Sequence, residues 1–517
     1  MEARTHGTTN GTLLALLDHG EDTAPAIVVP DGPRLTYQHL RTQVRRTADA
    51  LAGFGLGRQD RVALVLPNGA EYLVTFLAAA VAATAAPLNP GYTEDEFRFF
   101  LEDTCARALI VPPGGAEAAR RAMPQGTIVI EAAFDPSGTL RLESDTPAHT
   151  GRTASAPAGD DVALVLHTSG TTSRPKRVPL RHRNLSASVE NIVATYALSP
   201  RDVSMCVMPL FHVHGLLAST LATFRSGGTV VAPPRFDPLG FWPLAREHGA
   251  TWYSAVPTIH QLLLARSREG ERPVGAERLR FIRSCSSALS PVTMQLLEAR
   301  FGAPVLEAYG MTEASHQMAS NPLPPGERLP GTVGVATGIQ LAIMNDEGTL
   351  LPPGSSGEVV IQGPNVIDGY ENNPEANASS FTNGWFRTGD LGVLDTNGYL
   401  TLISRIKELI NRGGEKISPR EVDDVLLDHP AVSEAVSFGV PHRTWGEEVA
   451  AAVVLRSPAT EAALIGHCRQ HLAEFKVPKS IYIVDAIPRT ATGKVQRRNV
   501  AAALGASASP GSNGGRV

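Results

Sequence analysis

The segment LVLHTSGTTSRPKRVPL, residues 164–180, joins a short apolar strand to a loop of hydroxyl side chains that ends at a lysine. Hydroxyls and backbone N–H groups that wrap an anion, closed by the ammonium of Lys176, suit a polyphosphate. The segment does not match the GxxxxGK[ST] loop, which excludes a P-loop NTPase. A solvated Ser/Thr loop is the alternative, but the position directly after an apolar strand favours phosphate binding. The loop residues that carry this prediction are Thr168, Ser169, Gly170, Thr171 and Thr172.

Around this segment the chain alternates short β-branched strands with helical stretches, which is typical of α/β proteins. An Ala-rich apolar stretch at 72–88 is predicted to be a buried helix, because it is too short and too polar for a membrane span. The other predicted elements of the first 400 residues are strands at 61–66, 108–111, 162–166 and 228–232 and helices at 186–197 and 238–247.

The last part of the chain has a different texture. Strands at 357–362 and 398–403, separated by Gly and Asn turns, predict a small β-rich subdomain. Beyond about residue 404, charged helical segments (419–428 and 460–474) flank the strand candidates AVSEAVSFGV and EEVAAAVVL. We therefore predict a large α/β N-terminal domain over 1–403, made of two αβ subdomains and the β-rich subdomain. A small α+β domain over 408–503 and a disordered tail over 504–517 follow.

Composition excludes several classes of protein. The 517 residues carry a net charge of −5, which gives no electrostatic footprint for nucleic acid or an anionic membrane. The four cysteines form no CxxC pair, which argues against a disulfide framework and a zinc site. No secretory or peroxisomal signal is recognisable, so we expect a cytoplasmic protein, monomeric or homodimeric, whose substrates are small molecules.

Two further motifs carry groups suited to a nucleotide. In EAYGMTEASH, residues 307–316, Tyr309 could stack on a base, Thr312 could bond a phosphate, and Glu313 could hold a hard cation such as Mg²⁺. In GWFRTGDLG, residues 384–392, Asp390 stands at a glycine turn, where a carboxylate can accept two ribose hydroxyls.

Two more motifs follow in the C-terminal part. SRIKELINRGGEKISP, residues 404–419, holds Arg405, Lys407 and the pair Gly413-Gly414 near the predicted domain boundary. PRTATGKVQRR, residues 488–498, holds Lys494 after a glycine. Any one of these motifs could be an ordinary turn, but all five in this order indicate one nucleotide-dependent enzyme.

These motifs resemble the acyl-adenylate-forming superfamily of acyl-CoA synthetases, peptide-synthetase adenylation domains and luciferases. The resemblance extends from about residue 10 to 503. It is greatest to the oxalate-CoA ligase subgroup of plants and fungi, through segments such as LHTSGTTSRPK, PLFHVHGLL, LRFIRSCSSAL and RIKELINRGGEKISP. The activity that it implies is ATP-dependent formation of an acyl adenylate, followed by transfer of the acyl group to CoA.

The resemblance also implies roles for individual residues. The loop Thr168–Lys176 would wrap the β- and γ-phosphates of ATP, while Glu313 and Thr168 would hold Mg²⁺. Thr312 would contact the α-phosphate, and Lys494 would act on the α-phosphate and carboxylate during adenylation. Around adenine and ribose, the implied residues are Tyr309, Ser286, Ser287, Ala288, Asp390 and Arg405.

For the second half-reaction, the resemblance implies a mobile C-terminal domain. Residues 404–406 would lead into a hinge at Lys407, about which this domain would swing. Gly413, Gly414 and Glu415 would line the tunnel for the CoA thiol.

Histidines and hydroxyls at the positions that line the acid pocket in this superfamily indicate a short, polar, doubly charged acid. His214, His316 and Ser287 are the preferred candidates, with His212, His260 and Ser284 nearby. We expect His212 and His214 to share one strand face, but no third ligand at metal spacing follows them.

One position departs from the superfamily pattern. Arg177 follows the loop lysine where glycine is usual. Arg177 pointing at solvent would be harmless, and this is the favoured prediction; pointing inward, it could alter pyrophosphate handling. The departure leaves open an enzyme for another acid or for nitrite, with an amine or a carrier protein as acceptor. A degenerate, non-catalytic member is disfavoured by the intact motif residues.

Overall fold

The computed structural model describes residues 11–168, 175–268, 270–489 and 495–505. The chain divides into two compact units, here called the first unit (Met1–Leu341 with Ile361–Phe386) and the second unit (Ala342–Val360 with Arg387–Val517). The helices are α1 Tyr37–Gly53, α2 Ala70–Ala82, α3 Glu94–Thr104, α4 Glu117–Arg121, α5 His182–Thr195, α6 Ala222–Arg225, α7 Phe241–His248, α8 Pro257–Ala265, α9 Pro291–Phe301, α10 Pro374–Ser380, α11 Pro419–Asp428, α12 Glu461–His471 and α13 Arg497–Ala503. The strands are β1 Pro25–Val28, β2 Arg34–Thr36, β3 Arg61–Leu64, β4 Thr84–Pro87, β5 Ala106–Val111, β6 Ile128–Phe134, β7 Leu140–Glu143, β8 Val162–Thr168, β9 Lys176–Arg181, β10 Val203–Met205, β11 Thr229–Val231, β12 Trp252–Ala255, β13 Phe281–Ser284, β14 Val305–Met311, β15 His316–Ser320, β16 Val335–Ala336, β17 Gln340–Met344, β18 Leu350–Leu351, β19 Ser356–Gln362, β20 Phe381–Thr382, β21 Trp385–Leu394, β22 Leu400–Arg405, β23 Ile410–Arg412, β24 Glu415–Ile417, β25 Val432–His442, β26 Gly446–Leu455 and β27 Ser480–Ile483.

A seven-stranded sheet of the first unit has the order β7-β6-β5-β3-β4-β8-β9. Its inner strands are parallel, and the edge strands β7 and β9 are antiparallel to their neighbours. The apolar stretch 72–88 is only partly helical, because α2 ends at Ala82 and β4 runs from Thr84 to Pro87. The predicted single helix is therefore too long; Pro87 disfavours helix in the residue before it, and parallel pairing to β3 and β8 makes this segment a strand.

A nine-stranded sheet of the same unit has the order β16-β15-β14-β13-β12-β10-β11-β1-β2. The run from β14 to β1 is parallel, and antiparallel pairs close both edges. One face buries an apolar cluster that includes Trp242, Tyr253, Ile282 and Phe301. Ligands of open α/β sheets bind beyond the carboxyl ends of parallel strands, so the ends of β12, β13 and β14 are where a site is expected.

The segment that contains His212 and His214 is not a strand. His212 lies in a turn, and His214 begins a π-helix, His214–Leu221, all of whose residues are buried. The prediction that these histidines share a strand face is therefore wrong. A π-helix is rare and frequently occurs at functional sites.

The second unit contains a sheet in the order β18-β17-β19-β21, with β22 paired to β21. Its other sheet has the order β24-β23-β26-β25, with β27 parallel to β26. The charged helical segments predicted at 419–428 and 460–474 correspond to α11 and α12, which bury an apolar side that includes Val422, Leu426 and Leu464. The predicted α/β class with a smaller α+β part is confirmed.

The division at 403 and the hinge at Lys407 remain predictions. The predicted disordered tail falls almost wholly outside the described residues. Within the described part of the chain, no helix has the length and apolarity needed to cross a membrane.

Candidate functional site

Strands β8 and β9 form an antiparallel hairpin that brings the two ends of the predicted phosphate loop together. Thr168 at the end of β8 lies directly opposite Lys176 at the start of β9. The loop residues Ser169, Gly170, Thr171 and Thr172 lie outside the described residues. The described flanks therefore put a hydroxyl and an ammonium side by side at the mouth of the loop.

The β14–β15 hairpin carries four of the predicted site residues. Tyr309 is in β14, Thr312 and Glu313 form a 3₁₀ turn, and His316 begins β15. A Cβ at Gly310 would collide with the carbonyl of His316, so this close approach requires glycine. The sharp reversal that follows places Ser315 at φ 49° and His316 at φ 99°. One short segment therefore holds an aromatic ring, a hydroxyl, a carboxylate and an imidazole.

Tyr370 connects two of the predicted nucleotide-binding residues. Its hydroxyl donates a hydrogen bond of 2.7 Å to Oε1 of the buried Glu313. The ammonium of Lys176 lies 4.4 Å from the centre of the Tyr370 ring, a cation–π distance. Carboxylate oxygens suit Mg²⁺, so Glu313 fits the predicted role of a cation ligand. Within the described residues, no three His, Cys, Asp or Glu side chains form a metal cluster.

The predicted adenine wall follows directly after β13. Ser286 has φ 75°, an uncommon backbone conformation for a residue other than glycine. Ser287 and Ala288 are exposed, whereas the next residue, Leu289, is buried and donates its N–H to Oε1 of Glu307. The turn thus presents Ser287 and Ala288 to solvent from a fixed anchor.

His214 and His316 lie together, although 102 residues separate them in the chain. Their rings stack with centroids 5.3 Å apart and planes at 23°. Nδ1 of His214 lies 3.1 Å from Oγ of Ser286, and its Nε2 lies 2.6 Å from Oγ of Ser254. The structure therefore brings the two preferred acid-pocket histidines to one place beside the predicted adenine wall.

Sequence reasoning missed Arg283, which lies in β13 with no exposed surface. Its guanidinium contacts Nε2 of His316 at 3.1 Å and Oγ of Ser254 at 2.9 Å. Further bonds reach the hydroxyl of Tyr196 and the amide oxygen of Gln317. The only available signal was a basic residue inside an apolar strand, FIRS, which by itself does not distinguish a buried site from an edge position.

His260, another acid-pocket candidate, is fully buried. The hydroxyl oxygen of Tyr253 lies 3.3 Å from its Nδ1. Burial lowers the pKa of His260 to about 3, so its ring is neutral at pH 7. This is the environment of a structural histidine.

Arg177 turns inward, against the favoured prediction of a solvent-facing side chain, and is only 13% exposed. It lies 3.5 Å from a carboxylate oxygen of Asp103 and 3.5 Å from one of Glu371, and it also donates to the Asp103 carbonyl. Asp103 contacts Nε2 of His167 at 3.0 Å, and Glu371 pairs with Arg61. The acidic partners hold this cation, which explains why the chain tolerates arginine here in place of glycine.

In the second unit, Asp390 and Arg405 are direct partners across β21 and β22. Nε of Arg405 lies 2.8 Å from Oδ1 of the buried Asp390. The Asp390 N–H donates to Oγ1 of Thr388, which in turn donates to the carbonyl of Val359. The two predicted ribose-binding residues therefore form one fixed pair.

The β23–β24 hairpin contains the predicted tunnel residues. Gly413 and Gly414 have φ 62° and 97°, and Glu415 begins β24. A Cβ at Gly413 would lie 2.8 Å from the Trp445 ring, so glycine is needed there for both space and conformation. Lys407 lies in a 3₁₀ turn, Ile406–Glu408, and is exposed. Lys494 lies outside the described residues.

Comparisons with known proteins agree with these motifs. Residues 18–371 match the AMP-binding enzyme family, and residues 421–494 match the AMP-binding enzyme C-terminal domain. The chain is 49% identical over 508 residues to an oxalate–CoA ligase of Arabidopsis thaliana, covering 95% of this chain and 98% of that protein. It is 46% identical to an oxalate–CoA ligase of Saccharomyces cerevisiae, covering 92% of this chain and 94% of that protein.

Among solved structures, ATP-bound MatB from Rhodopseudomonas palustris superposes with a TM-score of 0.86 at 32% identity, covering 96% of this chain and 99% of that one. A family model that matches most of the chain, near full-length relatives and a solved structure of the same fold all agree. The chain belongs to the AMP-binding enzyme family.

Proposed function

We propose that this protein is an acid–thiol ligase that uses ATP to activate oxalate, or a similarly short dicarboxylate, and transfers the acyl group to CoA. The observation that carries the proposal is the pairing of His214 with His316 beside the hairpin that holds Tyr309, Thr312 and Glu313. The extended similarity to two oxalate–CoA ligases supports the same substrate class.

In the first half-reaction, a carboxylate oxygen attacks the α-phosphorus of ATP and pyrophosphate leaves. An anion approaches an anion, so the site must offset growing negative charge. Thr312 bonds the α-phosphate, Lys176 and the phosphate loop hold the departing phosphates, and Lys494 supplies a second ammonium. Glu313, with Thr168, holds Mg²⁺, which when bound neutralises phosphate charge.

The nucleoside is bound by the residues that the adenine and ribose motifs supply. Tyr309 stacks on adenine beside Ser286, Ser287 and Ala288, and the Asp390–Arg405 pair binds the ribose hydroxyls. Asp390 suits this role because it is buried and held in place by Arg405, and a carboxylate can accept hydrogen bonds from two ribose hydroxyls.

The acid is recognised by His214, His316 and Ser287. A fatty-acid tunnel would need small and apolar side chains at these places, whereas imidazoles can donate hydrogen bonds to a second carboxylate.

In the second half-reaction the CoA thiol attacks the acyl carbon and AMP leaves. Gly413, Gly414 and Glu415 line the approach of the thiol. Lys407 is the hinge about which the C-terminal domain swings between the two half-reactions.

The test is ATP-dependent pyrophosphate release with oxalate, malonate, acetate, hexanoate and nitrite, each with mass detection of the adenylate and of the CoA product. We expect a response to oxalate or malonate and formation of the corresponding acyl-CoA. No response to either acid would refute the substrate class.

Turnover without CoA, in the presence of an amine, would refute CoA as the acceptor of the acyl group, because a CoA ligase stalls at the bound adenylate. The Lys494→Ala variant provides an internal check on the catalytic assignment: it should lose adenylation, and unchanged adenylation would show that Lys494 is not the catalytic lysine.

A further inference from the structure

Arg283 carries a positive charge inside the first unit, where the described residues give it polar partners but no carboxylate. Its side chain has no exposed surface. The groups that it contacts are a phenol, a serine hydroxyl, an amide oxygen, two imidazole nitrogens and the thiol of Cys285. Within the described residues, no carboxylate lies within ion-pair distance of this guanidinium. A buried cation without an anion is costly, and proteins normally pair it.

The contacts of Arg283 also fix the protonation of His316. A guanidinium has only donors, so Nε2 of His316, 3.1 Å from Nη2, must accept. An imidazole that accepts at Nε2 is neutral and carries its proton on Nδ1. Arg283 therefore holds His316 in the Nδ1–H tautomer.

The same reasoning applies to His214 through Ser254. The hydroxyl of Ser254 accepts from Nη1 of Arg283 at 2.9 Å, which leaves its own proton for Nε2 of His214 at 2.6 Å. Nη1 itself lies 3.5 Å from the same Nε2 and also presents a proton to it. Nδ1 of His214 then donates to Oγ of Ser286, 3.1 Å away, which leaves the Ser286 hydroxyl proton for another acceptor.

We propose that Arg283 is a positioning residue that makes the site selective for a doubly charged acid. It keeps His214 and His316 as neutral donors through Nδ1, and its buried charge, which has no carboxylate partner among the described residues, stabilises the second carboxylate of the substrate. The buried guanidinium does not touch the acid; the histidines and Ser286 transmit its effect. This inference rests on the proposed function, since it explains how the same site distinguishes a dianion from a monoanion.

Electrostatics predicts which acids respond to the loss of this charge. The interaction of a cation with a dianion exceeds its interaction with a monoanion of the same shape, and the buried setting weakens solvent screening. Glyoxylate differs from oxalate by one aldehyde in place of one carboxylate. The ratio of kcat/KM for oxalate to that for glyoxylate therefore isolates recognition of the second charge.

The experiment compares the wild-type protein with Arg283→Met and Arg283→Lys. Arg280→Met is the matched control, because Arg280 immediately precedes β13 but pairs with Asp202. Arg283→Met should lower the oxalate-to-glyoxylate ratio at least about tenfold, mainly through KM for oxalate. Arg283→Lys should restore part of the ratio, Arg280→Met should leave it unchanged, and KM for ATP should stay within about twofold in all three.

Several outcomes would overturn the inference. An unchanged ratio in Arg283→Met would do so, as would equal losses for both acids together with a raised KM for ATP, which indicate a structural role only. If Arg283→Met does not fold, Ser254→Ala decides, because it removes the hydroxyl that bridges Arg283 and His214 and leaves only the 3.5 Å contact between Nη1 and Nε2; an unchanged ratio there counts against the proposal. The wild-type acid panel separately tests the proposed function, because a wild-type preference for monoanions contradicts the substrate class before any variant is measured.

Discussion

Replacing Arg177 with alanine tests how the chain accommodates a cation at the end of its phosphate loop. The arginine is held between Asp103 and Glu371, which are themselves mostly buried. After its removal, Glu371 still pairs with Arg61, and Asp103 still contacts His167. Burial lowers the pKa of His167, so in the intact protein Arg177, and not this histidine, supplies the positive charge beside Asp103.

The magnitude follows from this difference between the two acids. Removing one partner of a fully buried ion pair costs about 3–5 kcal/mol, whereas an exposed pair contributes about 0–1 kcal/mol. Glu371 keeps a second cation and Asp103 is partly solvated, so the cost lies between these limits, at about 2 kcal/mol. That free energy corresponds to about a 30-fold faster exchange of those amide hydrogens whose exchange follows the opening equilibrium of the hairpin.

The assay is hydrogen exchange followed by mass spectrometry on peptides from β8 and β9. Arg183→Ala is the matched control, because Arg183 is 39% exposed and its partners Asp160 and Asp368 are more exposed still. We expect faster exchange in Arg177→Ala and little change in Arg183→Ala. Equal exchange in the two variants would refute the reasoning that the inward ion network stabilises this hairpin.

Three other perturbations test the remaining contacts. Tyr370→Phe keeps the ring under Lys176 but removes the donor to Glu313, so KM for ATP at limiting Mg²⁺ should rise about tenfold; an unchanged Mg²⁺ titration would contradict this. Asp390→Asn should weaken binding of a fluorescent ATP analogue by about tenfold or more, and unaltered affinity would remove Asp390 from the ribose site. Burial lowers the pKa of His182 from 6.5 to about 4, so the unfolded chain binds its proton first as pH falls. The contribution of His182 to the free energy of unfolding is thus fully present above pH 6.5 and should decline by up to about 3 kcal/mol towards pH 4. Urea titrations of His182→Gln should show a shallower decline of the free energy of unfolding than the wild type.

Local patterns predicted much of the fold. Strand β8 and helix α11 could be located because each has an apolar period matched to its element and a clear boundary in the sequence. The division of 72–88 into α2 and β4 could not, because Ala and Leu suit both elements and only pairing with β3 and β8 decides.

The site shows the same division between local and non-local information. Tyr309, Thr312 and Glu313 lie in one short motif, so their proximity was predictable. Arg283 and Tyr370 were missed because their importance depends on partners far away in sequence, such as His214 for Arg283 and Glu313 for Tyr370. The inward turn of Arg177 likewise depends on Asp103 and Glu371, which no pattern near the loop indicates.

The π-helix that starts at His214 has a consequence for how acid preference can change. A π-helix holds more residues per turn than an α-helix, and deletion of a single residue can convert such a turn to the α form. The chain before the deletion would then rotate by about 100° relative to the chain after it, since an α-helix has 3.6 residues per turn. Loss of one codon within 215–221 could therefore move His214 away from His316 with no substitution at either position. An insertion or deletion in this helix, as well as a change in the lining side chains, can therefore alter which acid this site binds.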